Sequence, residues 1–399
     1  MKIGILTFHS QLNYGGVLQC WALQNALEKL GHKVVVVDRW LSDDNSMLEQ
    51  GYNKFGFKQW IKFAIRASLG LGDINQWLRV RRTKRFLAQY IKRTQYHFVD
   101  WSAAPKELGV DMLVVGSDQV WHCGDWGDPQ VYLLDGAPNI PAISYAASFG
   151  LTELPKYLKE RERDSLAETF YKAGLEKFKA ISCRESEGVS LCRKLGFEAE
   201  HVLDPTLLVA KADWECLIRS EARHCKKRVV CYLLGADYKA MLQRLVHFSR
   251  ENDCEVDIFV DQWVFDVLPM PTSASKFKQW FTGLSRKMFG NVRVYDSAGP
   301  IEFVRSIASA DLVISDSFHA LMFSIVFGRN VRILAPKSGH RKKMFARIEE
   351  FASKMTGPIV VDSLETALKS FADDAVATID SAWLESRRSE SFNFLRRNI

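Results

Sequence analysis

Short apolar runs that empty into polar turns and then resume at helical spacing recur along the whole chain. KIGILTF reads as a buried strand, HSQLNYGG as a loop, and VLQCWALQNALEKLG as a helix. Val17, Leu18, Trp21, Leu23, Ala26, Leu27 and Leu30 fall at helical spacing, and Gly31 stands where a helix commonly stops. KVVVVD then gives a second continuous apolar strand, so the opening predicts a strand–helix–strand unit with its strands parallel. DMLVVGSDQVW and AISYAASFG are two further strand-then-turn units.

Between about 151 and 200, two helical patches flank ISCRESEG, and HVLDPTLLV closes a first half. A second alternating series runs through KRVVCYLLG, EVDIFV, VRVYDSAGP, a helix near 301–309, DLVISDSFH, a helix over 320–328 and VRILAP, and the tail from about 363 is helical and charged. Strands alternating with helices in two blocks predict an α/β protein of two doubly wound, Rossmann-like domains facing across a cleft. The expected division is 1–210 for the first domain, 211–375 for the second and 376–399 for a helical tail. Residues 41–104 read as a helical insertion in the first domain.

Composition adds one feature to this pattern. The chain has 399 residues, too many for one compact core, and a net charge of +7. Residues 51–100 hold eleven Lys/Arg and two acids, so this window carries +9 and the remainder −2. The same window is rich in aromatics, from Tyr52 and Trp60 to Tyr96 and Phe98. Cations interleaved with aromatics suit anionic lipid headgroups or a lipid-diphosphate-linked glycan, or a solvated basic helix pair packed on the first domain. No recognised nucleic-acid-binding module is present, and nucleic acid is not an expected partner. The eight cysteines form no CxxC pair, and no cluster reads as a metal site. MKIGILTF lacks a signal-peptide h-region and no window approaches eighteen uninterrupted apolar residues, so the expected location is the cytoplasm, at the inner face of the cytoplasmic membrane if the basic segment meets lipid.

The polar turns hold the candidate chemistry. In Asn13-Tyr14-Gly15-Gly16 the glycines permit close backbone approach, and a helix start beyond them favours an anion or a polar sugar; a plain tight turn is the alternative. The loop is neither GxGxxG nor a Walker P-loop. Asp118, in Gly116-Ser117-Asp118-Gln119, suits a general base or a turn cap, and Gln119 and Trp121 are sugar-contacting types that also serve as core. Arg184 offers a bidentate fork to a carboxylate or phosphate, or pairs with Glu185. His319 follows Asp316 and Ser317 at a helix start, where a bound phosphate would favour the protonated ring; a backbone-satisfied histidine is the bland alternative.

Taken in order, NYGGVLQCWALQNALEKLGHKV, GSDQVW, ISYAASFG, CRESEGVSLCRKLG, VLDPTLL and SDSFHALMFSIVFG resemble the polysaccharide pyruvyl transferase family over roughly residues 1–40 and 105–335. The chain departs from the family pattern at His122, where Asn is usual, and at Ala320, where Gly is usual. The resemblance implies a GT-B-like fold, with the first domain on the acceptor side and the second on the donor side. It implies phosphoenolpyruvate as donor substrate, with no further cofactor and no metal. The product would be a pyruvate ketal on a sugar of a cell-surface glycan or its lipid-linked precursor, with phosphate released. Arg184, Ser317, Phe318 and His319 map onto the donor site, with His319 as proton donor. Asp118 is the base candidate, and Asn13, Tyr14, Gly15, Gly16, Gln119 and Trp121 would face the acceptor. A GT-B-type glycosyltransferase using a nucleotide-sugar, with Glu302 as a ribose or base contact, and an inert scaffold for glycan-assembly enzymes are the competing readings.

Overall fold

The computed structural model describes residues 1–10, 12–39, 74–123, 129–159, 164–219, 226–234, 238–260, 287–336, 345–372 and 376–399. Its first sheet is built from β1 (Lys2–Leu6), β2 (Lys33–Arg39), β3 (Arg93–Phe98), β4 (Met112–Val115) and β5 (Ala142–Ser144), all parallel in the order β3-β2-β1-β4-β5. Strands of a parallel sheet are covered on both faces, which explains why β1, β2 and β4 read as unbroken apolar runs. A small antiparallel pair follows, β6 (Tyr157–Lys159) with β7 (Asp164–Leu166). Parallel bridges Ile143↔Ala180 and Ala147↔Cys183 then lead to the short pair β8 (Ser182–Cys183) and β9 (Glu200–His201).

The second sheet comprises β10 (Arg228–Tyr232), β11 (Glu255–Phe259), β12 (Lys287–Phe289), β13 (Val292–Tyr295), β14 (Leu312–Ser315), β15 (Asn330–Leu334) and β16 (Val360–Val361). Its order is β12-β13-β11-β10-β14-β15-β16, parallel except for β12. From β13 onward this is the 3-2-1-4-5-6 order of a Rossmann sheet, and the first sheet carries the 3-2-1-4-5 part of the same order. The point where strand order reverses lies between β1 and β4 in one domain and between β10 and β14 in the other. Ligands bind beyond strand carboxyl ends at such switch points, and there the NYGG, GSDQ and DSFH turns are found.

The expected helical insertion over 41–104 is corrected in its described part. Residues 40–73 lie outside the described residues, but Ile74–Tyr90 is the crossover helix between β2 and β3, and β3 belongs to the sheet itself. RTQYHF is an edge strand whose exposed positions dilute its apolar signal. The helix also joins the domains. Arg79 donates to Leu12 O (2.9 Å) and Val260 O (3.0 Å) and stacks over Tyr14, while Arg82 donates to Ser297 O (2.7 Å). Beside them Tyr14 stacks on Phe303 (centroids 4.6 Å apart, 11° between planes) and meets the edges of Tyr232 and Phe259. The C-terminal helix Ser381–Asn398 returns to the first domain, where Ser391 Oγ accepts from Leu203 N (2.9 Å) and Arg388 donates to Leu207 O (2.7 Å).

Candidate active site

Three strand exits converge between the sheets. After β1, Asn13 Oδ1 accepts from Gly15 N (2.9 Å) and Gly16 N (3.3 Å) and caps the helix Tyr14–Lys29. After β14, Ser317 precedes the helix Phe318–Phe327, and His319 comes to rest on the glycines of the other domain. A Cβ on Gly15 would lie 2.0 Å from His319 Nδ1 and 2.5 Å from its Cγ, so the ring occupies the space that a side chain would fill. On its other nitrogen, Nε2 stands 3.7 Å from Asp204 Oδ2, beyond hydrogen-bond reach, buried and without a hydrogen-bond partner among the described residues.

After β4, Asp118 adopts a left-handed backbone (φ +72°), a conformation costing on the order of 1 kcal/mol or more for a residue with a side chain. Its carbonyl holds it there by accepting from Val120 N (2.8 Å) and Ser148 N (3.0 Å). Oδ1 accepts from Gln119 N (2.9 Å) and from Arg184 Nη2 (3.4 Å), and a Cβ on Gly16 would lie 3.4 Å from Oδ2.

Arg184 leaves β8 fully buried and is spent on carboxylates. Nη1 donates to Asp204 Oδ2 (3.1 Å), Nη2 reaches Asp118, and Nε lies 3.7 Å from Glu185 Oε2. Burial alone would lower its pKa, but Asp118, Asp204 and Glu185 more than reverse that and hold it above the ordinary arginine value. Asp204 Oδ1 accepts from Thr206 N (3.0 Å) and Thr206 Oγ1 (2.7 Å). Burial pushes its carboxyl up, and His319, Arg184 and Thr206 together outweigh burial and hold it well below the usual carboxylate range.

Phe318 lies between two guanidiniums: Arg184 Cζ is 4.8 Å and Arg347 Cζ 5.1 Å from its ring centroid. Arg347 comes from the helix Ala346–Ala352 and has no ion pair among the described residues, with Nε and Nη1 enclosed and lacking hydrogen-bond acceptors. Burial, and then the Arg184 charge, lower its pKa to about 10. Behind β8 and β9, His201 Nε2 donates to Arg184 O (3.0 Å) and Nδ1 stands 3.4 Å from Glu350 Oε1. Burial and Arg387 lower His201 to about 4, and burial with Glu187 raises Glu350 to about 7, so both are neutral between about pH 4 and pH 7.

The structure thus brings together His319, Ser317, Phe318, Arg184, Asp118, Gly15 and Gly16 of the residues singled out in the sequence. Gln119 is buried nearby, with Nε2 lacking a hydrogen-bond partner among the described residues. Two others go elsewhere. Trp121 is fully buried against Phe149 and Phe178, with its indole N–H donating to Tyr132 O (3.4 Å), and Tyr14 sits in the aromatic cluster joining the domains. His122, one of the two departures, is buried with Nδ1 3.0 Å from Phe149 O. Asp204 and Arg347 were not singled out. Asp204 lay in the quoted VLDPTLL run, where an Asp before Pro reads as a turn cap, and nothing in one sequence marked Arg347.

A family model described as polysaccharide pyruvyl transferase matches residues 13–338. The chain belongs to the polysaccharide pyruvyl transferase family. The match begins at Asn13 and takes in every residue of the convergence except Arg347 and Glu350. Membership makes the protein a pyruvyltransferase of polysaccharide biosynthesis, with a glycan acceptor implied. No curated protein matches this transferase by sequence. Among solved structures, the UDP-GlcNAc 2-epimerase of Methanocaldococcus jannaschii in complex with UDP-GlcNAc and UDP is similar at a TM-score of 0.50 and 11% identity, over 99% of this chain and 100% of that chain. The UDP-GlcNAc 2-epimerase of Neisseria meningitidis gives 0.46 at 10% identity over 100% of each chain. The spinosyn forosaminyltransferase SpnP gives 0.44 at 14% identity, over 100% of this chain and 95% of that chain. The fold of the transferase is GT-B-like, two α/β domains with parallel sheets. No helix among the described residues is long and apolar enough to cross a membrane.

Proposed function

We propose that the protein transfers pyruvate from phosphoenolpyruvate to two hydroxyls of one sugar in a cell-surface glycan or its lipid-linked precursor, forming a ketal and releasing phosphate. The observation that carries this reading is the meeting of His319 Nε2, unpartnered among the described residues, with the buried Arg184 and half-buried Arg347 guanidiniums at the paired switch points. The reaction needs an acid beside an anion. His319 gives a proton to the methylene carbon of the donor, and C2 becomes electron-poor. A sugar hydroxyl oxygen bonds to C2 as Asp118 takes its proton, and a neighbouring hydroxyl then displaces phosphate from C2 and closes the ring. The second hydroxyl proton leaves with phosphate, and the proton held by Asp118 restores the histidine. General acid and base groups each contribute typically about 10²–10⁴ in rate.

Asp204 is the positioning residue for this chemistry. Fixed by Thr206 and Arg184, it faces Nε2 with a carboxylate that stays ionised. Glu302, the candidate contact for a nucleotide, is instead taken up in capping the helix Pro300–Ala308 through Gly299 N (3.1 Å) and in pairing with Arg82. The test is calorimetric titration with phosphoenolpyruvate, UDP and GDP, followed by mass spectrometry of a glycan acceptor for an added pyruvate ketal. Binding of a nucleotide with phosphoenolpyruvate silent would overturn the proposal.

A further inference from the structure

We infer that Arg347, rather than Arg184, receives the phosphate of the donor. The inference rests on the functional reading above and assigns the anion's place within it. Two nitrogens of Arg184 already hydrogen-bond carboxylates, Nη1 to Asp204 at 3.1 Å and Nη2 to Asp118 at 3.4 Å, while Nε, without a hydrogen-bond partner among the described residues, faces Glu185 at 3.7 Å. An incoming oxyanion would have to displace one of these, and each is itself buried. Arg347 is the opposite case. It shares the Phe318 ring with Arg184, has neither ion pair nor hydrogen bond among the described residues, and keeps Nε and Nη1 enclosed. A half-buried cation with two enclosed nitrogens that lack acceptors is costly to hold, and two like charges against one ring raise that cost further. A phosphate removes both penalties, because it supplies several acceptor oxygens and close to two negative charges. Glu185 is the competing acid in the neighbourhood; both of its oxygens are buried without hydrogen-bond donors among the described residues.

The assignment also changes which variant is informative. Arg184→Ala would leave buried carboxylates of two other segments unpaired, so loss of binding there would not separate recognition from collapse. Arg347→Gln removes a cation that pairs with nothing among the described residues, so the ligand-free variant should melt at the same temperature as the parent or higher. Phosphoenolpyruvate should bind it roughly 10- to 100-fold more weakly, the range for a lost charge-assisted hydrogen bond. Inhibition by inorganic phosphate should disappear, inhibition by pyruvate should persist, and Arg347→Lys should recover part of the affinity. Phosphoenolpyruvate affinity within twofold of the parent in Arg347→Gln, or a lowered melting temperature with affinity kept, would overturn the inference and leave the functional reading intact. Loss of pyruvate inhibition in place of phosphate inhibition would overturn the phosphate assignment. A parent protein that fails to bind phosphoenolpyruvate would instead sink the functional reading itself, and this inference with it.

Discussion

Gly15→Ala separates the position of the His319 ring from the stability of the fold. The new Cβ would lie 2.0 Å from Nδ1, where ordinary contact begins at 3.4 Å, so the ring must retreat by the difference of about 1.4 Å. Asp204 Oδ2 stands 3.7 Å from its other nitrogen, so any retreat changes the relation to the group that orients it. A misplacement of about 1 Å at a reacting group can cost about 10²-fold in rate, or about 2.7 kcal/mol of barrier. The backbone pulls the other way: Gly15 is the second residue of a helix, does not have a left-handed φ, and alanine there favours the helix by up to about 1 kcal/mol. Gly16→Ala is the matched control, since its Cβ would make only an ordinary 3.4 Å contact with Asp118 Oδ2. Phosphate release under saturating donor and acceptor, with thermal melting of both variants, is the assay. Expected are a loss of about 100-fold in kcat for Gly15→Ala at an unchanged or slightly raised melting temperature, and a change of a few fold for Gly16→Ala. Turnover of Gly15→Ala within about threefold of the parent would refute a proton-donor role for His319 in this position.

Glu350→Gln should raise the melting temperature at pH 8 and lose that advantage as pH falls from 7 toward 4.5. The folded carboxyl is raised to about 7 by burial first, so ionising it costs the folded state, and only above the unfolded pKa. A gain independent of pH would count against this account. Tyr14→Ala should destabilise by about 3–5 kcal/mol in denaturant melts, because it empties the aromatic cluster between the domains; a loss below about 1 kcal/mol would contradict that packing. Reversing the charges of the exposed Arg81 and Arg85 should weaken sedimentation with anionic vesicles while leaving phosphoenolpyruvate affinity unchanged, and unchanged sedimentation would remove lipid headgroups from the partners expected for the basic segment. Arg82 does not belong in that test, since it donates to Ser297 O and pairs with Glu302.

What one sequence discloses here follows from local backbone chemistry. β1, β2, β4 and β14 are runs of apolar residues covered on both faces, and the turns after β1, β4 and β14 are marked by glycine, Asx and serine, so NYGG, GSDQ and DSFH were legible as strand exits. The edge strand β3 was not, because half-exposed positions break its pattern and it follows the arginine-rich helix Ile74–Tyr90. The partners of those arginines lie at long range: Arg79 reaches Val260 and Arg82 reaches Ser297, which a charge count along the chain registers only as a basic patch. Tyr14 and Trp121 show the same limit from the other side. Both stand next to site residues in sequence, yet both rings turn into cores that are built by later segments. Asp204 was invisible as a site residue because its chemistry comes from three distant groups, Ser117, Arg184 and His319.

The charges at the site make one further demand on the mechanism. Arg184 and Arg347 bring +2 and Asp118, Asp204 and Glu185 bring −3, so with a neutral His319 the group carries −1. Phosphoenolpyruvate adds roughly −2.5 to −3 at neutral pH. Charges of one sign in a buried space interact strongly, so donor binding is linked to proton uptake. His319 is the group placed to take that proton, with Nε2 unpartnered and an ionised Asp204 beside it, and it is the same proton that the methylene carbon needs. Titrations in buffers of different ionisation enthalpy should therefore show uptake of about one proton per donor bound near pH 8. The uptake should vanish in His319→Asn and persist in Glu350→Gln, which removes the carboxyl raised to about 7. Binding without proton uptake, or uptake that survives His319→Asn, would mean that the acid is not loaded by its own substrate, and His319 would lose its place as proton donor.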